Sequence, residues 1–130
     1  MFNSIYDVIY NTDFKTRIAS SGLDTTIING MDAVNTNISV SGTMSNILDY
    51  GSCSNISCSA RKCYIKVFGK NSNVVCSGED CVVSGSVGTL ITLTGRDEDN
   101  KPIVISFKID GNKYKENTPY IFKDGSIVEY

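Results

Sequence analysis

The sequence predicts an all-β chain: a short β-solenoid with about 18 residues per coil, a helical cap at the N-terminus and a C-terminal antiparallel meander. Three observations carry this expectation. From about Asn37 to Val83 the pattern falls into step every nine residues and matches best every eighteen. Asn37, Asn55 and Asn73 keep that step, as do Ile38, Ile56 and Val74, and Val40, Cys58 and Cys76. A fixed period with a fixed role at each position marks a small unit that cannot bury its apolar face alone and stacks on copies of itself. Within the units, stretches such as Ile65-Lys66-Val67-Phe68-Gly69 and Val74-Val75-Cys76-Ser77-Gly78 alternate with period two and close on a small residue, which is the pattern of a short strand and a tight corner. Nine is odd, so a flat meander could also produce it, with each hairpin reversing the faces. The better match at eighteen favours two strands per coil and about three coils.

In chain order, residues 1–14 read as the N-terminal cap. Phe2, Ile5, Val8 and Ile9 sit at helical spacing with Asn3 or Ser4 placed to cap, so a short amphipathic helix would cover the open first rung. Residues 15–88 read as the solenoid, opening with the degenerate units Ile18-Ala19-Ser20-Ser21-Gly22 and Ile27-Ile28-Asn29-Gly30. Ile38, Ile56 and Val74 would form one inward ladder and Val40, Cys58 and Cys76 a second, where small thiols act as apolar filler. Tyr50 would stack on Phe68, Arg61 would pair with Glu79 at the surface, and Gly42, Gly51, Gly69 and Gly78 would take positive-φ corners. Residues 89–130 read as the meander: Leu90 to Leu93, a polar turn from Arg96 to Asn100, Ile103 to Ile109, Lys113 to Lys115, Tyr120 to Phe122 and Ile127 to Tyr130. Asp110-Gly111 and Asp124-Gly125 between apolar runs are hairpin signals. The 130 residues make one domain.

Charge and cysteine content narrow the function. Twelve basic and fourteen acidic residues give a net charge of −2, so no basic field awaits a phosphate backbone, and direct nucleic-acid binding is not expected. No apolar run approaches the roughly 20 residues that span a bilayer, and residues 1–5 carry no secretory pattern, so the expected compartment is the cytoplasm, without membrane contact. The cysteines Cys53, Cys58, Cys63, Cys76 and Cys81 are odd in number, which argues against a secreted disulfide framework. Cys58 to Cys76 and Cys63 to Cys81 are each eighteen apart and occupy equivalent repeat positions.

Histidine is absent, which removes the usual general base and the standard triads, and no phosphate-cradling glycine motif occurs. A nucleophilic cysteine would have to draw on Arg61 and Lys62 beside Cys63, with no third group to orient the pair. No catalytic residue and no cofactor are therefore assigned. The Cys-x4-Cys-x12-Cys-x4-Cys spacing of Cys58, Cys63, Cys76 and Cys81 supplies four thiolates, enough for a closed zinc site, although stacked free thiols account for it more simply. Asp97-Glu98-Asp99-Asn100 offers oxygens for calcium but lacks the rest of a binding loop, so a solvated hairpin tip is the expected role. Seven tyrosines give amphipathic surface for a partner, with half or more of them assigned to core or cap.

The C-terminal third carries Gly85-Ser86-Val87-Gly88-Thr89-Leu90-Ile91-Thr92-Leu93, an acidic Asp97-Glu98-Asp99 turn, Ile109-Asp110-Gly111-Asn112-Lys113-Tyr114-Lys115-Glu116-Asn117-Thr118, then Tyr120 and Lys123-Asp124-Gly125-Ser126-Ile127-Val128-Glu129. In these stretches, and loosely in its repeats, the chain resembles a group of phage and prophage β-solenoid proteins of unknown function. Those proteins have tandem Ser-Ser-Gly-x-Ser-Ala-x-Ile-Gly units and a common C-terminal segment. The resemblance implies a phage-borne origin and no chemistry; the repeats here are richer in Asn, Ile and Cys. The resulting expectation is a non-enzymatic protein-binding module that inhibits a host defence protein, such as a CRISPR effector, in the host cytoplasm. The alternatives are a virion or fibre-associated component, which a homo-oligomer would suit, and a protein that sequesters a nucleotide signal. No partner-binding residue is assigned.

Overall fold

The computed structural model describes residues 8–13, 15–21 and 23–130. Ten strands alternate between two parallel sheets to build the solenoid: β1 (Val8–Asn11), β2 (Arg17–Ser20), β3 (Thr26–Asn29), β4 (Asn37–Val40), β5 (Asn46–Asp49), β6 (Asn55–Cys58), β7 (Tyr64–Val67), β8 (Asn73–Cys76), β9 (Val82–Ser84) and β10 (Leu90–Arg96). Even-numbered strands β2 to β10 stack in one sheet, here sheet A, and odd-numbered strands β1 to β9 in the other, sheet B. Two strands per coil make five coils among the described residues, rather than about three. Strand starts step by nine residues except for eleven from β3 to β4 and eight from β9 to β10. The two-residue insertion in the corner 30–36 throws the first coils out of phase with the rest, and the early repeats look degenerate for that reason.

The predicted helical cap is not supported. Its described part, Val8 and Ile9 included, is strand β1, paired in parallel with β3 from Val8↔Thr26 to Asn11↔Asn29; residues 1–7 lie outside the described residues. At Val8 and Ile9 helical spacing did not outweigh a β-rich Val-Ile-Tyr run with a ladder partner waiting one coil on. Among the described residues the solenoid thus starts at Val8, ahead of Lys15.

Both inward ladders form as expected. Ile18, Ile38, Ile56, Val74 and Ile91 follow one another in sheet A, Val40, Cys58 and Cys76 run beside them, and Ile27, Ile47, Ile65 and Val83 face them from sheet B. All of these side chains are buried, and the alternating burial along each strand places the core between the sheets. Tyr50 and Phe68 stack with centroids 4.8 Å apart and planes 13° from parallel. Arg61 pairs with Asp80 at 3.3 Å instead of Glu79, which reaches Arg96 at 2.6 Å. All of these charged groups are substantially exposed, so each pair contributes little.

The corners differ from expectation. Gly42, Gly51, Gly69 and Gly78 are not in the left-handed region; instead the residue two before each strand from β2 to β9 is, namely Lys15, Asp24, Asn35, Met44, Cys53, Lys62, Asn71 and Asp80, and Gly88 takes the same place before β10. A Cβ in that region costs about 1 kcal/mol or more. Lys62 is exposed and its corner is held by its backbone N–H to the Glu79 carbonyl, which glycine retains. Lys62→Gly and Met44→Gly should each raise stability by about 0.5–1 kcal/mol, after the greater freedom of glycine in the unfolded chain is allowed for. Urea titration followed by circular dichroism tests this, and a loss of stability in both variants would refute it.

At the C-terminal end, β10 turns through residues 97–101 into β11 (Pro102–Lys108), which becomes the edge of sheet A. Asp110-Gly111 does not make a hairpin, and Lys113 to Lys115 form no strand. Residues 109–119 instead carry the chain from sheet A to sheet B, where β12 (Tyr120–Lys123) and β13 (Ser126–Glu129) form a hairpin on the edge at β9. Asp124-Gly125 is the two-residue turn of that hairpin, both residues at positive φ. The end is closed by aromatic packing: Tyr114 lies 4.5 Å from Phe107 and 5.5 Å from Tyr120, ring to ring. The cap is therefore two hairpins and a crossing loop, one hairpin per sheet, where a single meander was expected.

Candidate functional site

The two rows of corners have different interiors. Where the chain passes from sheet B to sheet A, the last inward positions of β1, β3 and β5 are Asn11, Asn29 and Asp49, stacked in register. Asn11 Nδ2 donates to Asn29 Oδ1 at 2.9 Å, and Asn29 Nδ2 donates to Asp49 Oδ1 at 2.8 Å. The Gly51 N–H at 3.0 Å and the Ser54 hydroxyl at 3.2 Å donate to the same Asp49 oxygen, and the Ser72 hydroxyl reaches Oδ2 at 3.4 Å. Burial, only partly offset by these hydrogen bonds, pushes the Asp49 carboxyl above its ordinary range. Sequence reading missed this group, although Asn-Asn-Asp at one inward register position was a visible signal.

Where the chain passes from sheet A to sheet B, the interior fills with sulfur. Each coil contributes the last residue of the sheet A strand and the residue before the sheet B strand: Val40 with Ser45, then Cys58 with Cys63, then Cys76 with Cys81. All five cysteines are free thiols, and these four are buried. The Sγ atoms of Cys58, Cys63 and Cys81 lie within 4.8 Å of one another, and Cys76 follows Cys58 in register one coil on. The Ala60 carbonyl oxygen faces the triad, 3.5 Å from Cys58 Sγ, 3.8 Å from Cys63 Sγ and 3.3 Å from Cys81 Sγ. Thiols turned toward Cys81 from Cys58, Cys63 and Cys76 draw its pKa down. Contacts with Cys58 and Cys81, then burial, push Cys63 and Cys76 up. Cys53 sits in the opposite row of corners, half-buried.

The structure does not assemble the other candidates into sites. Cys63 is fully buried, while Arg61 and Lys62 are exposed and Arg61 is engaged with Asp80, so the three do not form a nucleophilic centre. Asp97 Oδ1 accepts the N–H groups of Asp99 and Lys101, each at 2.9 Å, and so spends its carboxylate on closing the turn. Of the described tyrosines, Tyr114 and Tyr120 are packed in the C-terminal cap and Tyr10, Tyr50, Tyr64 and Tyr130 are exposed.

Those exposed tyrosines share one side of the molecule. Tyr10 and Tyr64 point outward from sheet B with Val8, Ile28 and Leu48, while Tyr50 and Phe68 flank it at the corner. Tyr130 closes on Tyr64, edge to face with centroids 6.0 Å apart and hydroxyls 3.0 Å apart, over a groove of about 380 Å³ lined by Met44, Asn46, Val82 and Ile121. The outward face of sheet A presents Asn37, Ser39, Asn55 and Ser57. Its exposed apolar residues, Val75, Leu90 and Val104, lie toward the C-terminal end. No protein-family model, curated protein or solved structure matches the chain.

Proposed function

We propose that the chain is a non-enzymatic binding module that docks a protein partner on the outward face of sheet B, and that it serves a phage by inhibiting a defence protein of the bacterial host. One observation carries the docking face: exposed aromatic and apolar side chains gather on sheet B and its flanking corners, where Tyr10, Tyr64 and Tyr130 offer rigid, amphipathic contact. The flat, strand-regular surface suits another folded surface better than a small substrate. The phage setting rests on the resemblance of the C-terminal segment, and the absence of histidine supports a role without catalysis.

Plaque assays on bacteria carrying a defence system, with and without expression of the chain, test this reading. Leu48→Lys introduces the residue type that Lys66 already places one coil further on, so the fold accepts it. Combined with Tyr64→Ala it should lower relief of restriction about tenfold or more, whereas Ser57→Lys on sheet A should leave it unchanged. Equal loss in both variants, or no relief across a panel of defence systems, overturns the proposal.

A further inference from the structure

We propose that the corner between β6 and β9 is a zinc(II) site, with Cys58, Cys63 and Cys81 as thiolate ligands and the Ala60 carbonyl oxygen as the fourth. Zinc bonds of about 2.3 Å to sulfur and about 2.1 Å to oxygen set the edges of a tetrahedron at about 3.8 Å between sulfurs and about 3.6 Å between sulfur and oxygen. The Ala60 oxygen already stands 3.3, 3.8 and 3.5 Å from the sulfurs of Cys81, Cys63 and Cys58. The sulfurs, within 4.8 Å of one another, need only draw together by up to about 1 Å. One oxygen capping a triangle of sulfurs is a tetrahedral donor set, which suits zinc better than copper(I), whose soft preference leaves the oxygen idle.

Cys76 has a different part. It follows Cys58 in register one coil on but is not a member of the close triad. With three thiolates the net charge of the centre is −1, where a fourth would bury −2 in an apolar corner. Binding is not a redox step. Three S–H bonds break, three Zn–S bonds form and three protons pass to solvent, while the Ala60 oxygen exchanges S–H donors for the metal. Because the four sulfurs are buried, the ion enters as the coils close, and its binding free energy adds to folding.

The experiment uses the full chain, expressed with added zinc, kept reduced, desalted and acid-released for metal analysis, with cobalt(II) as the spectroscopic probe. One zinc per chain is expected, and cobalt(II) should give the intense thiolate charge-transfer bands and visible transitions of a tetrahedral site. The preceding coil supplies variants that keep the fold: Cys58→Val installs the residue of Val40, and Cys63→Ser and Cys81→Ser that of Ser45. Each should abolish stoichiometric zinc, whereas Cys76→Val should keep it with affinity lowered about 10- to 100-fold, as for an outer-shell contact. Desalted wild-type chain without zinc and without a cobalt charge-transfer band overturns the site, and that readout needs no variant. Loss of metal in Cys76→Val with retention in Cys63→Ser overturns the ligand assignment.

Discussion

Gly69→Ala should cost about 3 kcal/mol or more, the largest single-atom effect in the solenoid. The reason is proximity, since Gly69 does not occupy the left-handed region. A Cβ at Gly69 would fall inside the van der Waals envelope of the Gly51 carbonyl oxygen directly beneath it, with the Tyr50 carbonyl oxygen 3.1 Å away. Neither group can move aside. Tyr50 is clamped by its N–H to the Asn29 carbonyl at 2.8 Å and by its ring on Phe68, and the Gly69 carbonyl accepts the Ser86 hydroxyl from the coil above. The added methyl must therefore prise two coils apart at a corner where every neighbouring residue is held. Gly30 is the control, because a Cβ there would meet the Asn11 oxygen at 3.2 Å and the ends of two side chains at 3.3 Å, which yield more easily. Gly30→Ala should cost about 1 kcal/mol. Urea unfolding of the two variants compares them directly; similar losses would mean that the corners are looser than this packing implies.

Relative to Asp49→Asn, the wild-type chain should lose stability as pH rises from 3.8 through the raised carboxyl pKa of Asp49. Burial is the dominant influence on Asp49 and raises its carboxyl above the ordinary value of 3.8, so the folded chain holds this proton more tightly than the unfolded chain does. The sign follows by linkage. Below 3.8 both states are protonated and the folded state loses nothing; between 3.8 and the raised folded value, rising pH strips the unfolded chain first and stability declines; above both values the loss is complete and constant. Asp110 acts in the opposite sense, because the N–H groups of Asn112 and Tyr114 lower its pKa, so the comparison must be wild type against variant at each pH. In Asp49→Asn the remaining carbonyl still accepts from Asn29 and Gly51, and the new amide donates to Ser72, extending the Asn11–Asn29 ladder by one rung. Asp49→Val matches the shape of Val67 one coil on but leaves the Gly51 N–H without its acceptor and the Asn29 amide with only the Ser54 hydroxyl at 3.3 Å, a cost of about 1–3 kcal/mol. Parallel pH profiles for wild type and Asp49→Asn would show that the carboxylate is solvated after all.

By itself the sequence determined the fold class, the eighteen-residue step, the inward ladders, the Tyr50–Phe68 stack and the Asp124-Gly125 hairpin. Each of these depends on residues that recur in one register, and strand stacking converts a sequence period directly into a spatial neighbour. Tertiary structure decided what lies across the register. Val8 and Ile9 became a strand because β3 offered a ladder partner, which no local spacing of apolar residues encodes. The five-coil length was hidden by two extra residues in one corner. The glycines proved to serve close approach, while Met44, Lys62 and their equivalents bear the positive φ, since only the stacked backbone sets how near one corner comes to the next. The same holds for the candidate site. The spacing of Cys58, Cys63, Cys76 and Cys81 was legible, but the closure of three sulfurs on the Ala60 oxygen depends on how sharply the chain folds between two sheets. Periodicity specifies which residues stack, and the packing of the corners specifies which of them meet.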